Sequence, residues 1–452
     1  MAMNTSFFGE MLQSISERGR ALMDRAWDRR GDAAARSHSL ADLCEELLSG
    51  RGEASGVALA REILVRYNEL TTGPRIAFFE ALHVRFGVDR ERIDAAVDNW
   101  TRTGSDEAAA ELHVAAEPRR QELFRRLNLA PGGTAALVAM REDLMDALVH
   151  RDDLMPVDQD FVHLFSSWFN RGFLVLRRID WSTPAIILEK IIRYEAVHQI
   201  HDWDDLRRRI DPPDRRCYAF FHPALNDEPL IFVEVAFTSG IPRAIAPILA
   251  KGDNRPAPET ANTAVFYSIS NCQRGLSGVS FGSFLIKQVV EEISREFPRL
   301  ATFVTLSPVP GFAKWLARER QSNDPILTPQ DLAPLNELDK PRWWQDDAAE
   351  RLKEPMLHAA ATYFLSARNR NGGALDPVAR FHLGNGARLE QLNPLGDLSE
   401  KGLAQSHGLM VNYAYDLDDI EKNHEAYAEN RIIVAANGIK KRARMAKDLV
   451  KA

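Results

Sequence analysis

Thr263-Ala264-Val265-Phe266-Tyr267-Ser268-Ile269, then Gln273-Arg274-Gly275-Leu276-Ser277-Gly278-Val279-Ser280-Phe281-Gly282-Ser283, then Ala301-Thr302-Phe303-Val304-Thr305-Leu306: these three runs decide the fold. The first and last are dense in β-branched and aromatic residues, as buried strands are. Between the turn and the last run lies a helix over 281–297. Its Phe284, Leu285, Val289, Val290 and Ile293 fall on one stripe. Strand, glycine-rich turn, helix and strand in that order make a βαβ unit, the building block of an α/β domain.

Upstream, Leu230–Phe237 is a further buried-strand pattern. Downstream, residues 314–370 read as helix, and strand-like pieces return near 379–390 and 408–415. Lys440–Lys451 reads as a basic, solvated helix end. Before about residue 178 the texture differs. Phe7, Phe8, Met11, Leu12 and Ile15 recur at helical spacing, as do Leu43, Leu47 and Leu48, and then Leu59, Ile63, Leu64 and Tyr67. The Ala- and Glu-rich stretch 101–120 predicts another helix. A chain of 452 residues exceeds one ordinary core. The expected division is a helical domain over 1–178 and an α/β domain over 179–452.

Composition narrows the function. A formal net charge of −7 provides no bulk positive field, so neither nucleic acid nor an anionic membrane is an expected partner. An anionic ligand must meet a local basic or amide-lined site. Cys44, Cys217 and Cys272 are odd in number and far apart, which argues against a disulfide framework and a zinc site. They fit a reducing compartment. No apolar run is long enough to span a bilayer. The first residues show no secretory pattern, and acids interrupt their arginines. The cytoplasm is the expected location.

Three segments can carry chemistry. In the turn 273–283 the glycines let a backbone approach a ligand, and free amides opening a helix suit a pyrophosphate. Arg274 adds positive charge. A tight strand-to-helix connection explains the same glycines, so this signal alone is weak. Leu306-Ser307-Pro308-Val309-Pro310-Gly311-Phe312 closes the next strand. Ligands gather at the carboxyl ends of strands in α/β sheets. The prolines stiffen the exit, so Ser307 is presented on a rigid turn, although a Ser there is also a common helix cap. Pro377-Val378-Ala379-Arg380-Phe381-His382-Leu383-Gly384-Asn385-Gly386-Ala387 places His382 in a strand-like stretch before Asn-Gly, a turn signal. Tyr267 and Ser268 end the strand before the turn and are candidates to support the site, as are Asn385 and Tyr413. His198, His201, Asp202 and Asp204 lack the spacing of a metal helix; Asp202 or Asp204 reads as a helix cap and no metal is expected. Arg207-Arg208-Arg209 reads as a solvated face.

Taken together these segments resemble the malonyl-CoA decarboxylase family. The resemblance rests on His222-Pro223 with Glu228-Pro229-Leu230, Gln273–Phe284, Phe297-Pro298 with Leu306–Trp315, Pro377–Ala387, and His407–Tyr413. It covers the C-terminal part by motif and the N-terminal part by helical character. It implies an all-helical N-terminal domain for assembly into dimers or tetramers, then a GNAT-like (acetyltransferase-type) α/β catalytic domain. It implies conversion of malonyl-CoA to acetyl-CoA and CO₂ without metal or organic cofactor. By the same resemblance Ser307 and His382 are the catalytic pair, and Ser277, Gly278, Val279, Ser280, Phe281, Gly282 and Ser283 line the CoA site. Some relatives carry Glu where Ser280 stands. The expected roles are proton donation by His382, and orientation of the malonyl carboxylate by Ser307. Two rivals are an acyltransferase of the GNAT type, which the glycine-rich turn alone would allow, and a non-catalytic acyl-CoA sensor built on the helices. Release of CO₂ without an acceptor separates both from a decarboxylase.

Overall fold

A computed structural model describes residues 39–49, 52–251, 260–279, 285–345 and 347–449. The apolar spacing over Phe7–Ile15 lies outside the described residues. The chain divides into two units. One runs to Val175 and also takes in Phe221–Glu228 and Gln273–Phe281; the other takes in Leu176–Phe220, Pro229–Cys272 and the remainder.

In the first unit the helices follow local capping chemistry. Ser39 and Asp42 form a reciprocal capping box at the start of Leu40–Leu48. The single helix expected over 101–120 is instead the end of Arg90–Thr103, all of Asp106–Ala116 and the start of Arg119–Asn128. Gly104 stops the first in a left-handed conformation at φ 59°, and the Ser105 hydroxyl accepts from Ala108 N–H to start the second. Phe124 stacks on Phe161 at 4.1 Å, and the Arg120 guanidinium donates to the buried Asp160 carboxylate at 2.5 Å.

The second unit is built on a mixed sheet. Its strands are β1 (Val175–Ile179), β2 (Arg215–Phe221), β3 (Pro229–Thr238), β4 (Thr263–Asn271), β5 (Thr302–Thr305), β6 (Ser307–Pro308), β7 (Arg388–Asn393) and β8 (Met410–Ala414). The path is β1-β2-β3-β4-β5-β8-β6, with β7 also pairing to β8. The βαβ unit is present as expected. β4 and β5 are parallel, and the helix Leu285–Glu296 connects them with Leu285, Ile286, Val289, Val290 and Ile293 buried. β3 and β4 are antiparallel, and a register shift leaves Tyr267 as an extra residue on β4 opposite Glu234 and Val235. Val304 faces Ala414 and Ser307 faces Val411. β5 and β6 therefore meet β8 in one register and are two pieces of a single interrupted strand. The second unit is thus a mixed α/β domain that contains the expected parallel pair.

Two local expectations need correcting. His382 does not lie in a strand. Pro377–Gly384 is a helix, with Pro377 at its start and the Asp376 carboxylate accepting from Ala379 N–H at 2.9 Å. The strand follows only at Arg388. Asn385-Gly386 is the turn expected there, and it ends that helix, with Gly386 at φ 82°. The arginine run is not a uniformly solvated face either. In the helix Trp203–Ile210, Arg209 shares the inner side with Leu206 and Ile210, is 5% exposed, and reaches Glu234 at 3.2 Å. Burial still pushes Glu234 up to about 8, outweighing the pull of Arg209.

The capping expectation for this helix holds: the Asp202 carboxylate accepts from Asp205 N–H at 2.7 Å. Asp202→Ala is expected to cost about 1 kcal/mol in chemical denaturation. Added divalent cation should leave the midpoint of either protein unmoved, and a metal-dependent rise confined to the wild type would contradict the cap assignment.

Candidate active site

Ser307 and His382 come from different parts of the chain and meet. Ser307 sits on β6, directly after the interruption of the strand, and is 5% exposed. His382 lies in the last turn of Pro377–Gly384 and is 2% exposed. Ser307 Oγ and His382 Nε2 are 3.2 Å apart. On the far side of the ring, Nδ1 lies 2.8 Å from the Tyr415 hydroxyl. The Tyr413 ring stacks on the imidazole at 4.5 Å and 26°.

The bond directions select a tautomer. Ser307 donates its hydroxyl proton to Thr305 Oγ1 at 2.8 Å. Its oxygen is then free to accept from Nε2–H of His382. Nδ1 carries the lone pair and accepts from Tyr415. Protons thus run in one direction, from Tyr415 to His382 to Ser307 to Thr305.

Burial also sets the charge. It pushes His382 down to about 3, because a charged imidazolium is poorly solvated there. The ring is neutral at neutral pH, and the same burial raises the Tyr413 and Tyr415 hydroxyls. For any activity of the free protein that needs neutral His382, the acid loss falls toward pH 3 and not near 6.5. The expected kcat/KM profile is flat through the ordinary imidazole range. An inflection near pH 6.5 that disappears in His382→Asn would overturn this. Stability has the same sign: the unfolded chain takes up the proton below about 6.5 and the folded chain does not, so acidification costs stability.

A cavity of about 220 Å³ opens on the pair. Val197, Phe266, Ile269, Pro308, Pro377, Val378 and Phe381 give it apolar walls, while Asn271, Tyr267, Ser307 and His382 supply polar atoms. Few polar groups converging in an apolar pocket are what a small-molecule site needs. A larger cleft of about 480 Å³, between Arg243, Lys353, Gln391 and Arg442, is charged and carries no serine, threonine, cysteine or histidine.

The other expected residues divide. Tyr267 lines the cavity and Tyr413 stacks on His382. Ser268 turns away and donates to the buried Glu195 carboxylate at 2.7 Å. Asn385 closes the helix, its side chain donating to Phe381 C=O at 2.8 Å. In the glycine-rich turn, Arg274 is held by Asp146 at 2.7 Å, and Arg141 donates to the carbonyls of Gly275 and Ser277 at 2.8 Å each. Gly278 is left-handed at φ 78° and Val279 is buried. Ser280, Phe281, Gly282 and Ser283 lie outside the described residues. Thr305 and Tyr415 are hydrogen-bonded neighbours of the pair that the sequence does not single out. A signal existed: each stands two positions from an expected residue, Ser307 or Tyr413, and so on the same side of an extended chain.

Among the described residues no group of three or more His, Cys, Asp or Glu side chains could hold a metal ion. No described helix is long and apolar enough to cross a membrane.

Comparison with known proteins gives a consistent result. The family profile described as "Malonyl-CoA decarboxylase C-terminal domain" matches residues 172–452, and "Malonyl-CoA decarboxylase N-terminal domain" matches 86–169. "Malonyl-CoA decarboxylase, mitochondrial" of Anser anser anser is 38% identical over 348 residues, 71% of this chain and 69% of that protein. The crystal structure of malonyl-CoA decarboxylase from Rhodopseudomonas palustris superposes with a TM-score of 0.86 at 61% identity, covering 89% of this chain and 98% of that one. The enzyme from Agrobacterium vitis gives 0.85 at 55% identity, covering 90% and 99%.

Proposed function

The chain belongs to the malonyl-CoA decarboxylase family, and from that premise we propose how its buried Ser–His pair performs the reaction. The protein is a carboxy-lyase that converts malonyl-CoA to acetyl-CoA and CO₂. The bond between the α-carbon and the carboxyl group breaks. Its electron pair moves into the thioester carbonyl as an enolate, and CO₂ leaves neutral. One proton then adds to the α-carbon, so each turnover consumes one proton.

The observation that carries the residue assignment is the 3.2 Å contact between Ser307 Oγ and His382 Nε2 in the wall of an apolar cavity. His382 is the proton donor. Its ring is neutral, so the proton delivered is the one on Nε2, and an enolate is basic enough to take it. Tyr415, bonded to Nδ1, supplies the replacement as the ring changes tautomer, and its phenolate regains one proton from solvent before the next turnover. Ser307, its oxygen accepting from Nε2–H, orients that proton toward the malonyl group. The apolar walls strip water from the malonyl carboxylate, and a desolvated carboxylate loses CO₂ more readily. The thioester carbonyl is itself the electron sink, so no metal or organic cofactor is invoked.

The turn 273–283 is the proposed CoA cradle, supported by its glycines and its backbone amides. The helical part, to about residue 178, is the proposed assembly domain for a dimer or tetramer, and a monomer in sedimentation would overturn that part. Three buried cysteine thiols suit a reducing compartment, and the cytoplasm is the proposed location. The direct test incubates the full chain with malonyl-CoA and no acceptor. Acetyl-CoA and CO₂ in equal amounts are the expected products; binding without turnover would sink the reading.

A further inference from the structure

The interruption between β5 and β6 is built, not accidental. Thr305 and Leu306 lie opposite Tyr413 and Asn412 in the register that holds on both sides of the break. A regular antiparallel ladder would join Thr305 and Tyr413 by backbone alone. Leu306 N–H faces β4, where it continues the parallel ladder by donating to Phe266 C=O at 3.0 Å. Tyr413 N–H goes to the Thr305 hydroxyl oxygen at 3.1 Å. Thr305 C=O accepts from the Asn412 side-chain amide at 2.7 Å. Two side chains, Thr305 and Asn412, thus stand in for the ladder bond from Tyr413 N–H to Thr305 C=O, at the residues that lead into Ser307.

Asn412 is itself fixed on every side. It is fully buried, and its amide nitrogen also donates to Pro242 C=O at 3.2 Å. Its oxygen accepts from Asn393 Nδ2 at 2.6 Å, and Asn393 in turn accepts from Gln391 at 2.6 Å. The amides therefore point one way along the chain Gln391, Asn393, Asn412, and the last of them holds Thr305. The Thr305 oxygen receives two donors, Tyr413 N–H and Ser307 O–H, which occupies both of its lone pairs.

We propose that Thr305 and Asn412 are positioning residues that fix which way the Ser307 hydroxyl and the His382 ring carry their protons. With Thr305 as its acceptor, the Ser307 proton points away from His382, and Nε2 must be the protonated nitrogen. Without that acceptor the Ser307 proton turns onto Nε2. His382 then moves its own proton to Nδ1 and presents a lone pair where the substrate needs a proton. Asn412 acts one step back, by holding the Thr305 backbone so that its hydroxyl stays within reach of Ser307. The inference rests on the Ser307–His382 reading of the active site.

Thr305→Val keeps the shape and removes the acceptor, and Thr305→Ser restores it. Thr305→Val is expected to lower kcat by about tenfold to a hundredfold, the scale of a misplaced catalytic group, with KM for malonyl-CoA within about twofold. Thr305→Ser should recover most of that loss. The ¹⁵N shifts of the His382 imidazole should report Nε2–H in the wild type and in Thr305→Ser, and Nδ1–H in Thr305→Val. In a Ser307→Ala background, Thr305→Val should add little, because both changes act through one hydroxyl. Should Thr305→Val not fold, Thr305→Ala carries the same test. Unchanged kcat in the valine variant, an unchanged tautomer, or a full additional loss on top of Ser307→Ala would each overturn the proposal. Full activity in Ser307→Ala alone would instead overturn the active-site reading beneath it.

Discussion

His382→Asn is expected to lower kcat on malonyl-CoA by about 10²- to 10⁴-fold, the range that a positioned proton donor supplies. KM and the binding of CoA itself should change little. The substitution preserves much that is structural. An asparagine amide can still donate toward Ser307 and can still fill part of the space against Tyr413. It cannot pass a proton from one ring nitrogen to the other, and that exchange connects Tyr415 to the substrate. Ser307→Ala should cost a comparable factor, and the double variant should be little worse than either single one, because the two groups act as a unit. Steady-state rates of CO₂ release together with calorimetric binding of CoA test this. If turnover and CoA binding fall by the same factor, His382 is holding the fold and not the reaction.

Gly386→Ala should be the most damaging small change outside the cavity. Gly386 closes the helix that carries His382, with Gly386 N–H on Leu383 C=O at 3.0 Å and Ala387 N–H on His382 C=O at 3.0 Å. Its φ of 82° lies where a side chain is strained, and a Cβ would stand 2.1 Å from the Ile420 carbonyl oxygen. The obstacle is backbone, so no rotamer relieves it. Left-handed strain of about 1–2 kcal/mol and an overpacking penalty of about 1–3 kcal/mol together predict a loss of about 2–5 kcal/mol. Activity should fall as well, because the displaced segment positions the ring. Gly384, two residues earlier, is the control. A Cβ there meets nothing within 4 Å, and its φ is not in the left-handed region. Gly384→Ala should be neutral or stabilise by up to about 1 kcal/mol. Thermal unfolding of the two variants side by side decides the matter, and equal midpoints would refute the account.

The contrast between those two glycines bears on what the sequence could tell. The βαβ unit over 263–306 was legible because strand and helix periodicities differ and the helix carries its own apolar stripe. The Asp202 cap was legible because an N-cap is a contact within four residues. His382 read wrongly as strand because its helix is only eight residues long and begins with Pro-Val, so no stripe is visible. Asn-Gly is legible as a turn because the dipeptide signals a left-handed residue, but that the turn closes a helix against the chain at Ile420 is not. Arg209 was taken for a surface charge because its partner Glu234 is far away in sequence. The site follows this pattern. Ser307 and His382 were named through family motifs, whereas Thr305 and Tyr415 have meaning only through bonds across the sheet.

The place of β8 in the sheet also constrains how the protein is made. Ser307 lies on a strand whose antiparallel partner is residues 410–414, and β7 lies on that same partner. At ribosomal speeds of about 5–20 residues per second, that partner emerges on the order of ten seconds after Ser307. Until then the edge of β5 has no antiparallel neighbour, and a bare edge invites pairing with other nascent chains. Tyr413 and Tyr415 arrive with the same segment. A chain interrupted before residue 410 would therefore lack the ring stacked on His382 and the hydroxyl that feeds it, and would expose an adhesive edge as well. Holding of the nascent chain by a chaperone over that interval is the expected requirement for good yield.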